Sequence, residues 1–296
     1  MQSPALQITR LDARFGAQVT GLDASAPTTP EQIVELKKLV AEHGFVVLPE
    51  QTLDEGQHVA FAEGFGDTVV PWLHAVELNT LARMKELPGR PGYTGVHAGA
   101  VYFCNGPDYR DEPDDGYLQG WHADMTHLQV PLSYATLYSL EAPEYGYETW
   151  FANQYLAYEG LDAQTRARVD KLFVAHSFQH VFPNLAKVIW PVVLEHPISG
   201  RRAIYGIPGV AEATPLDVSK EEGDALMEKL SAHLNAERGI YKHSWRKGDL
   251  VIWDNRCVLH RRGPQAKGQT RVLRRVMASD GAPADIRQHM MGQSDC

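Results

Sequence analysis

From Gly248 to Ala278 the chain is almost nothing but strand and turn. Gly248-Asp249 turns into Leu250-Val251-Ile252-Trp253, Asp254-Asn255-Arg256 turns again into Cys257-Val258-Leu259-His260, and Gln269 to Ala278 forms a further strand candidate. Apolar, β-branched runs this short cannot bury themselves and must pack in sheets. The same pattern recurs upstream at Phe45–Leu48, Tyr134–Leu140, Glu148–Phe151, Val192–Leu194 and Ala203–Gly206, with a short antiparallel start at Leu6–Thr9 and Ala17–Gly21. The fold class expected is mainly β with added helices, in one domain over residues 1–296.

The helices announce themselves by their ends. Thr29-Pro30-Glu31-Gln32 offers an N-cap, a proline at the first helical position and a capping box, followed by the stripe Ile33, Leu36, Leu39, Val40 and the stop Gly44. A second helix is expected at about Leu53 to Phe65. Tyr155–Leu161 and Ala163–Ala175 read as helical, the latter with Val169, Leu172 and Phe173 inward. Ser219 and Glu222 cap a last helix buried through Leu226, Met227, Leu230 and Leu234. Residues 66 to about 120 are less periodic and rich in Gly and Pro. Two or three strands with long loops are expected there, either a lid over a pocket or a decorated surface.

Composition excludes several classes. With 296 residues and a net charge of −9, the chain is a poor binder of nucleic acid or anionic membrane. No stretch approaches 18 apolar residues, so no membrane span is expected. The first ten residues lack a basic region followed by an apolar run, and the three cysteines, Cys104, Cys257 and Cys296, do not form a disulfide framework. A cytoplasmic setting is expected.

The chemistry centres on Trp121-His122-Ala123-Asp124. Two residues apart in extended backbone, His122 and Asp124 leave the chain on one side and can supply two ligands of a facial metal triad. His260, at the end of an apolar run, is either the third ligand or a core histidine bonded to a backbone carbonyl. Arg271 and Arg275 share one face of the last strand, and Val272, Arg274 and Val276 the other. Arginines in such a strand need carboxylates, supplied by the protein or by a ligand such as a dicarboxylate gripped by Arg275. For Arg274 and Arg262 an exposed face with surface ion pairs is the plainer expectation. Two imidazoles and a carboxylate leave three octahedral positions open, two of which a 2-oxo acid can chelate. Zinc could use the same ligands in a hydrolase but has no need of the arginines.

These pieces resemble the TauD/TfdA family of Fe(II)- and 2-oxoglutarate-dependent dioxygenases. The match rests on Trp121-His122-Ala123-Asp124, the Thr149 segment, the run from Gly248 to Arg261, and arginines 11 and 15 residues after His260. The resemblance implies a double-stranded β-helix, or jelly roll, with His122, Asp124 and His260 on iron. It implies that Arg275 and the Thr149 hydroxyl hold the distal (C5) carboxylate of 2-oxoglutarate, with Arg271 near the C1 carboxylate and Trp253 and Asn255 as scaffold for His260. It further implies oxidation of an aliphatic C–H of a small or medium organic substrate by O2, with release of succinate and CO2, in a homodimer or homotetramer. Tyr147 stands in a turn where the family has a glycine, and Leu118 where taurine oxygenases place an asparagine; both argue against taurine. His74, Tyr102, Asn105, Leu118 and Tyr205 are the tentative substrate contacts, alongside His127 and Phe182. A zinc hydrolase and a non-catalytic binder of a metal or small acid are the alternatives.

Overall fold

The computed structural model describes residues 6–13, 15–68, 99–107, 120–127, 132–177, 179, 186–207, 212–235 and 239–281. Its largest sheet begins with β1 (Gln7–Arg10), β2 (Ala17–Thr20) and β3 (Phe45–Leu48). It is completed by β4 (Asp67–Thr68), β5 (Val101–Asn105), β6 (Tyr134–Glu141), β14 (Leu250–Asp254) and β16 (Arg271–Ser279). The order is β1-β2-β3-β14-β6-β16-β4, with β5 also on β16, and only the β2–β3 pair is parallel. A smaller sheet places β7 (Thr149–Asn153) between β13 (Ile240–His243) and β15 (Val258–Arg262). The two sheets form the jelly roll.

Alternation along the strands builds its layers. Val47, Leu137, Val251, Trp253, Leu273 and Met277 from the large sheet meet Phe151 and Val258 from the small one in the central core. The opposite face of the large sheet, with Val46, Leu48, Tyr134 and Ile252, is covered by Leu36 and Val40 of α1 (Pro30–His43) and by Phe61 of α2 (Glu55–Glu63). Ala152 and Leu259 on the outside of the small sheet pack with Leu226, Leu230 and Leu234 of α5 (Lys220–Asn235).

The caps read from sequence are present. The Thr29 hydroxyl accepts from the Gln32 N–H and the Gln32 side chain accepts from the Thr29 N–H. α2 starts two residues later than expected because Asp54 and Gln57 form a second capping box. α3 (Gln154–Glu159) and α4 (Ala163–Val169) are shorter than the two helical segments expected there. Instead of continuing to Ala175, α4 stops at Asp170, and Phe173–Ser177 is a strand, β8, with Phe173 exposed. Cross-strand pairing decides this: β8 bonds on one side to β9 (Val188–Pro191) and on the other to β12 (Glu212–Pro215). A two-stranded ribbon, β10 (Val193–Glu195) with β11 (Arg202–Ile204), turns through Pro197–Gly200 as expected. Of the 66–120 stretch, the described part contributes β4 and β5, and the rest of the expected lid region lies outside the described residues.

Gly44 ends α1 at φ 79°, and a Cβ there would lie 2.4 Å from Phe15 Cε2. Phe15 is wedged edge-on against Phe45 in the central core and has little room to yield. Gly44→Ala is therefore expected to cost roughly 2–4 kcal/mol, backbone strain and overpacking together. Equilibrium urea unfolding measures it, and a loss under 1 kcal/mol would contradict this account of the turn.

Candidate metal and co-substrate site

The site forms where a loop meets the edge of the small sheet. His122 N–H donates to His260 O at 3.0 Å and His260 N–H to His122 O at 2.8 Å. This isolated antiparallel bridge sets the two imidazoles 4.2 Å apart, centre to centre. Asp124 completes the group. Its two carboxylate oxygens lie 3.8 Å from Nε2 of His122 and 3.8 Å from Nε2 of His260. These are too long for hydrogen bonds. One donor atom from each of the three residues lies within 4.8 Å of the other two, close enough to share one ion in the space between them.

The donors are prepared for a cation. His122 Nδ1–H donates to Gly120 O at 2.9 Å, which leaves the Nε2 lone pair directed at the space. His260 Nδ1 has no partner among the described residues. Burial, and then His122 beside it, pushes the His260 imidazole down to about 3, so it is neutral and ready to ligate. Burial works against the charge on Asp124, but Arg275, then His260 and His122, outweigh it and hold the carboxyl below its ordinary value. A buried carboxylate and two imidazoles suit a divalent metal.

The support differs from the expected one. Trp253 packs on His260, ring centres 4.8 Å apart. Asn255 bonds to Asp124: its Oδ1 accepts from the Asp124 N–H at 2.9 Å and its Nδ2 donates to the Asp124 carbonyl at 2.7 Å. It grips the backbone of the carboxylate ligand at two points. Outside, the Arg261 guanidinium lies between the rings of Trp121, next to His122, and Trp150 of β7, at 4.8 and 4.2 Å.

Register puts Arg271, Leu273 and Arg275 of β16 opposite Asn105, Phe103 and Val101 of β5, on the inner face. Arg275 Nη1 lies 3.5 Å from both carboxylate oxygens of Asp124, and its guanidinium rests over Phe103 at 4.9 Å. Arg275 is therefore at the metal end of the face. The family resemblance implies that Arg275 holds the far end of a diacid; its contact in this structure is with Asp124. Arg271, four residues away along the strand, is held by Asn105 Oδ1 (2.7 and 3.2 Å) and by the Tyr147 carbonyl (3.1 Å). Thr149 is buried two residues on from Tyr147, its hydroxyl accepting from Trp245 Nε1 at 3.1 Å. Trp245 drew no attention in the sequence, since nothing in its spacing ties it to Thr149.

The remaining expectations are met unevenly. Arg274 and Arg262 are buried, not exposed. Arg274 donates to His58 Nδ1 and to the carbonyls of Leu53 and Asp54, on the α2 side of β16. Tyr102 belongs to that side too: it faces Arg274 in register and its hydroxyl bonds to Glu55 of α2, away from the metal cluster. Asn105 serves Arg271. Tyr205 is buried against Trp190 and His176, and Gly206 beside it packs on Thr126, in the wall next to the Asp124 turn. His127 is buried near His176. His74, Leu118 and Phe182 lie outside the described residues.

A second group of ligand types, His196, Asp254 and Cys257, is closed by its own bonds. His196 joins Asp254 at 2.9 Å and accepts at Nδ1 from two backbone N–H groups. Arg256 takes both Asp254 oxygens, and burial pushes the Cys257 thiol well up. That grouping is an anchor for the turn at 254–257. No helix among the described residues is long and apolar enough to cross a membrane.

Against known proteins, the model of the family described as taurine catabolism dioxygenase TauD, TfdA family matches residues 7–277. An (S)-phenoxypropionate/alpha-ketoglutarate-dioxygenase of Sphingobium herbicidovorans is 29% identical, over 92% of this chain and 94% of its own. An alpha-ketoglutarate-dependent 2,4-dichlorophenoxyacetate dioxygenase of Cupriavidus pinatubonensis is 27% identical, over 90% and 96%. The crystal structure of a taurine dioxygenase from Burkholderia xenovorans superposes with a TM-score of 0.74 at 26% identity, covering 93% of this chain and 91% of that one.

Asn255→Ala should weaken divalent-metal binding about 10- to 100-fold while leaving the protein folded; titration with Mn(II) measures it, and unchanged affinity would remove the clamp from the account. A second expectation concerns acid. Burial holds His176 down to about 4, and burial followed by His176 does the same to His127. Both folded values lie below the ordinary 6.5, so the unfolded chain takes up these protons first. The stability they confer is complete above pH 6.5 and drains as the pH falls from 6.5 to 4, on the order of 2–3 kcal/mol for each. His176→Gln should flatten the loss between pH 7 and 5 in urea unfolding of the metal-free protein.

Proposed function

The chain belongs to the TauD, TfdA family of 2-oxoglutarate-dependent dioxygenases, and from that premise we propose that it uses Fe(II) to oxidise an aliphatic C–H of a small or medium organic substrate, with hydroxylation the default outcome. His122, Asp124 and His260 would hold the metal. The observation that carries this reading is the convergence of those three donors in one buried space, with the arginines of one strand face running away from it.

Each residue has a task in this reading. Arg275, beside Asp124, keeps that ligand ionised and faces the C1 carboxylate of 2-oxoglutarate. Arg271, farther along the face, takes the C5 carboxylate through its planar fork, in the neighbourhood of Thr149. Bound metal and 2-oxoglutarate would supply the oxidising power, with O2 consumed and succinate and CO2 released. The chain's own contribution is to fix that geometry and to surround it with Trp253 and other buried side chains that exclude water, with Phe103 partly buried beside Arg275. No general acid or base is required for removal of a hydrogen atom. The zinc hydrolase and the non-catalytic binder are both superseded by the family.

For the prime substrate, the names of the relatives support a ringed organic acid of the aryloxyalkanoate kind. Leu118, where taurine oxygenases carry an asparagine, argues in the same direction.

Anaerobically purified protein loaded with Fe(II) should convert 2-oxoglutarate to succinate, faster when an aryloxyalkanoate is present. Arg271→Ala is expected to raise the KM for 2-oxoglutarate by at least about 10-fold, as loss of a charged pair should. A KM unchanged in Arg271→Ala but raised in Arg275→Ala would restore the opposite assignment of the two arginines. Succinate release independent of added iron would exclude Fe(II).

A further inference from the structure

Tyr147 is buried with its backbone at φ 53°, in the left-handed region. For a bulky side chain this costs about 1–2 kcal/mol, and such strain persists only where the surroundings enforce it. The surroundings here are specific. Gly146 before it is also left-handed and sits so close to Ala266 that a Cβ would meet it at 2.5 Å. The Tyr147 N–H donates to Pro264 O at 3.0 Å. The turn so formed delivers two groups to one target: the Tyr147 carbonyl accepts from Arg271 Nη1 at 3.1 Å, and the ring lies 5.4 Å from the guanidinium carbon. Asn105 holds the guanidinium from a third direction through Nε and Nη2. Arg271 is thereby fixed in position and in plane, which a four-bond side chain would otherwise resist at a substantial entropic cost.

We propose that Tyr147 is a positioning residue that sets the length of the 2-oxo diacid this enzyme accepts. The inference rests on the reading of Arg271 as the anchor of the far carboxylate. A guanidinium pinned by the Tyr147 carbonyl and ring, with the metal donors pinned by the His122–His260 bridge, defines one span between the two ends of the co-substrate. A five-carbon diacid fits one such span. A six-carbon diacid presents its carboxylate one methylene too far, and a pinned fork cannot follow it without losing a charge-assisted hydrogen bond. That loss is worth about 10- to 100-fold in affinity. An unpinned arginine could retreat and take either acid.

The test is calorimetric titration of the Mn(II)-loaded protein, without O2, by 2-oxoglutarate and by 2-oxoadipate, with melting temperatures recorded in parallel. The parent and Tyr147→Phe should both prefer 2-oxoglutarate by at least about 10-fold. Tyr147→Asn, whose side chain tolerates the left-handed backbone, should bind 2-oxoglutarate about 5- to 30-fold more weakly and narrow the preference to a few-fold. Arg271→Lys, which keeps the charge but not the pinned fork, should narrow it too. A folded Tyr147→Asn or Arg271→Lys protein that retains the parent's full preference overturns the proposal. Parent protein that does not bind 2-oxoglutarate, or Arg271→Ala protein that binds it as tightly as the parent, overturns instead the reading on which the proposal rests.

Discussion

Two backbone hydrogen bonds, exchanged between His122 and His260, make the rest of the site attainable. They join residues 138 positions apart without asking either side chain to do the joining. Each bond contributes only about 1 kcal/mol net, yet together they fix where both imidazoles begin. Asn255 then does for Asp124 what the bridge does for the histidines, binding its backbone at both ends of the peptide unit. Three ligands from two stretches of chain are thus located through main-chain contacts, and their side chains need only extend in ordinary directions. Both bridge residues are buried, which strengthens bonds that would be weak at a wet sheet edge.

β16 shows how one strand serves two faces. Its inner residues carry Arg271 and Arg275 to the cavity side, while Arg274 between them turns to α2. Arg274 has the charge of a surface residue and the burial of a core one. It is accommodated by carbonyls at the start of α2, by His58, and by the face of Tyr138 at 5.1 Å. This is an alternative solution to burying a guanidinium, with several dipoles and a ring in place of one carboxylate. The strand that carries Arg271 and Arg275 is tied by it to the N-terminal third of the chain.

Much of this was legible in the amino acids, and the reasons for the rest are physical. Strand periods, capping boxes and the three candidate donors that the fold brings together are local or motif-like, so they can be read directly. The stop of α4 at Asp170 was not, because the preference of Phe173–Ser177 for a strand is decided by partners that arrive from β9 and β12. The burial of Arg274 and Arg262 was misjudged because composition says that arginines are exposed, and only register shows what covers them. The surroundings of the two inner arginines on β16 were out of reach for a related reason. Spacing shows that Arg271 and Arg275 share a face but not which of them lies beside Asp124; that depends on where Asp124 sits, in a different part of the chain.

The position of β14 has a consequence for how such a protein comes into being. In the large sheet it lies between β3 and β6, which it separates. During synthesis the two outer partners emerge long before the strand that must slot between them, and each presents an open row of amide and carbonyl groups in the meantime. His260, Arg271 and Arg275 follow later still. The nascent polypeptide therefore spends most of its translation with unpaired sheet edges and no metal cage, a condition that invites self-association. The large sheet can close only once β14 has been made, near the end of the chain.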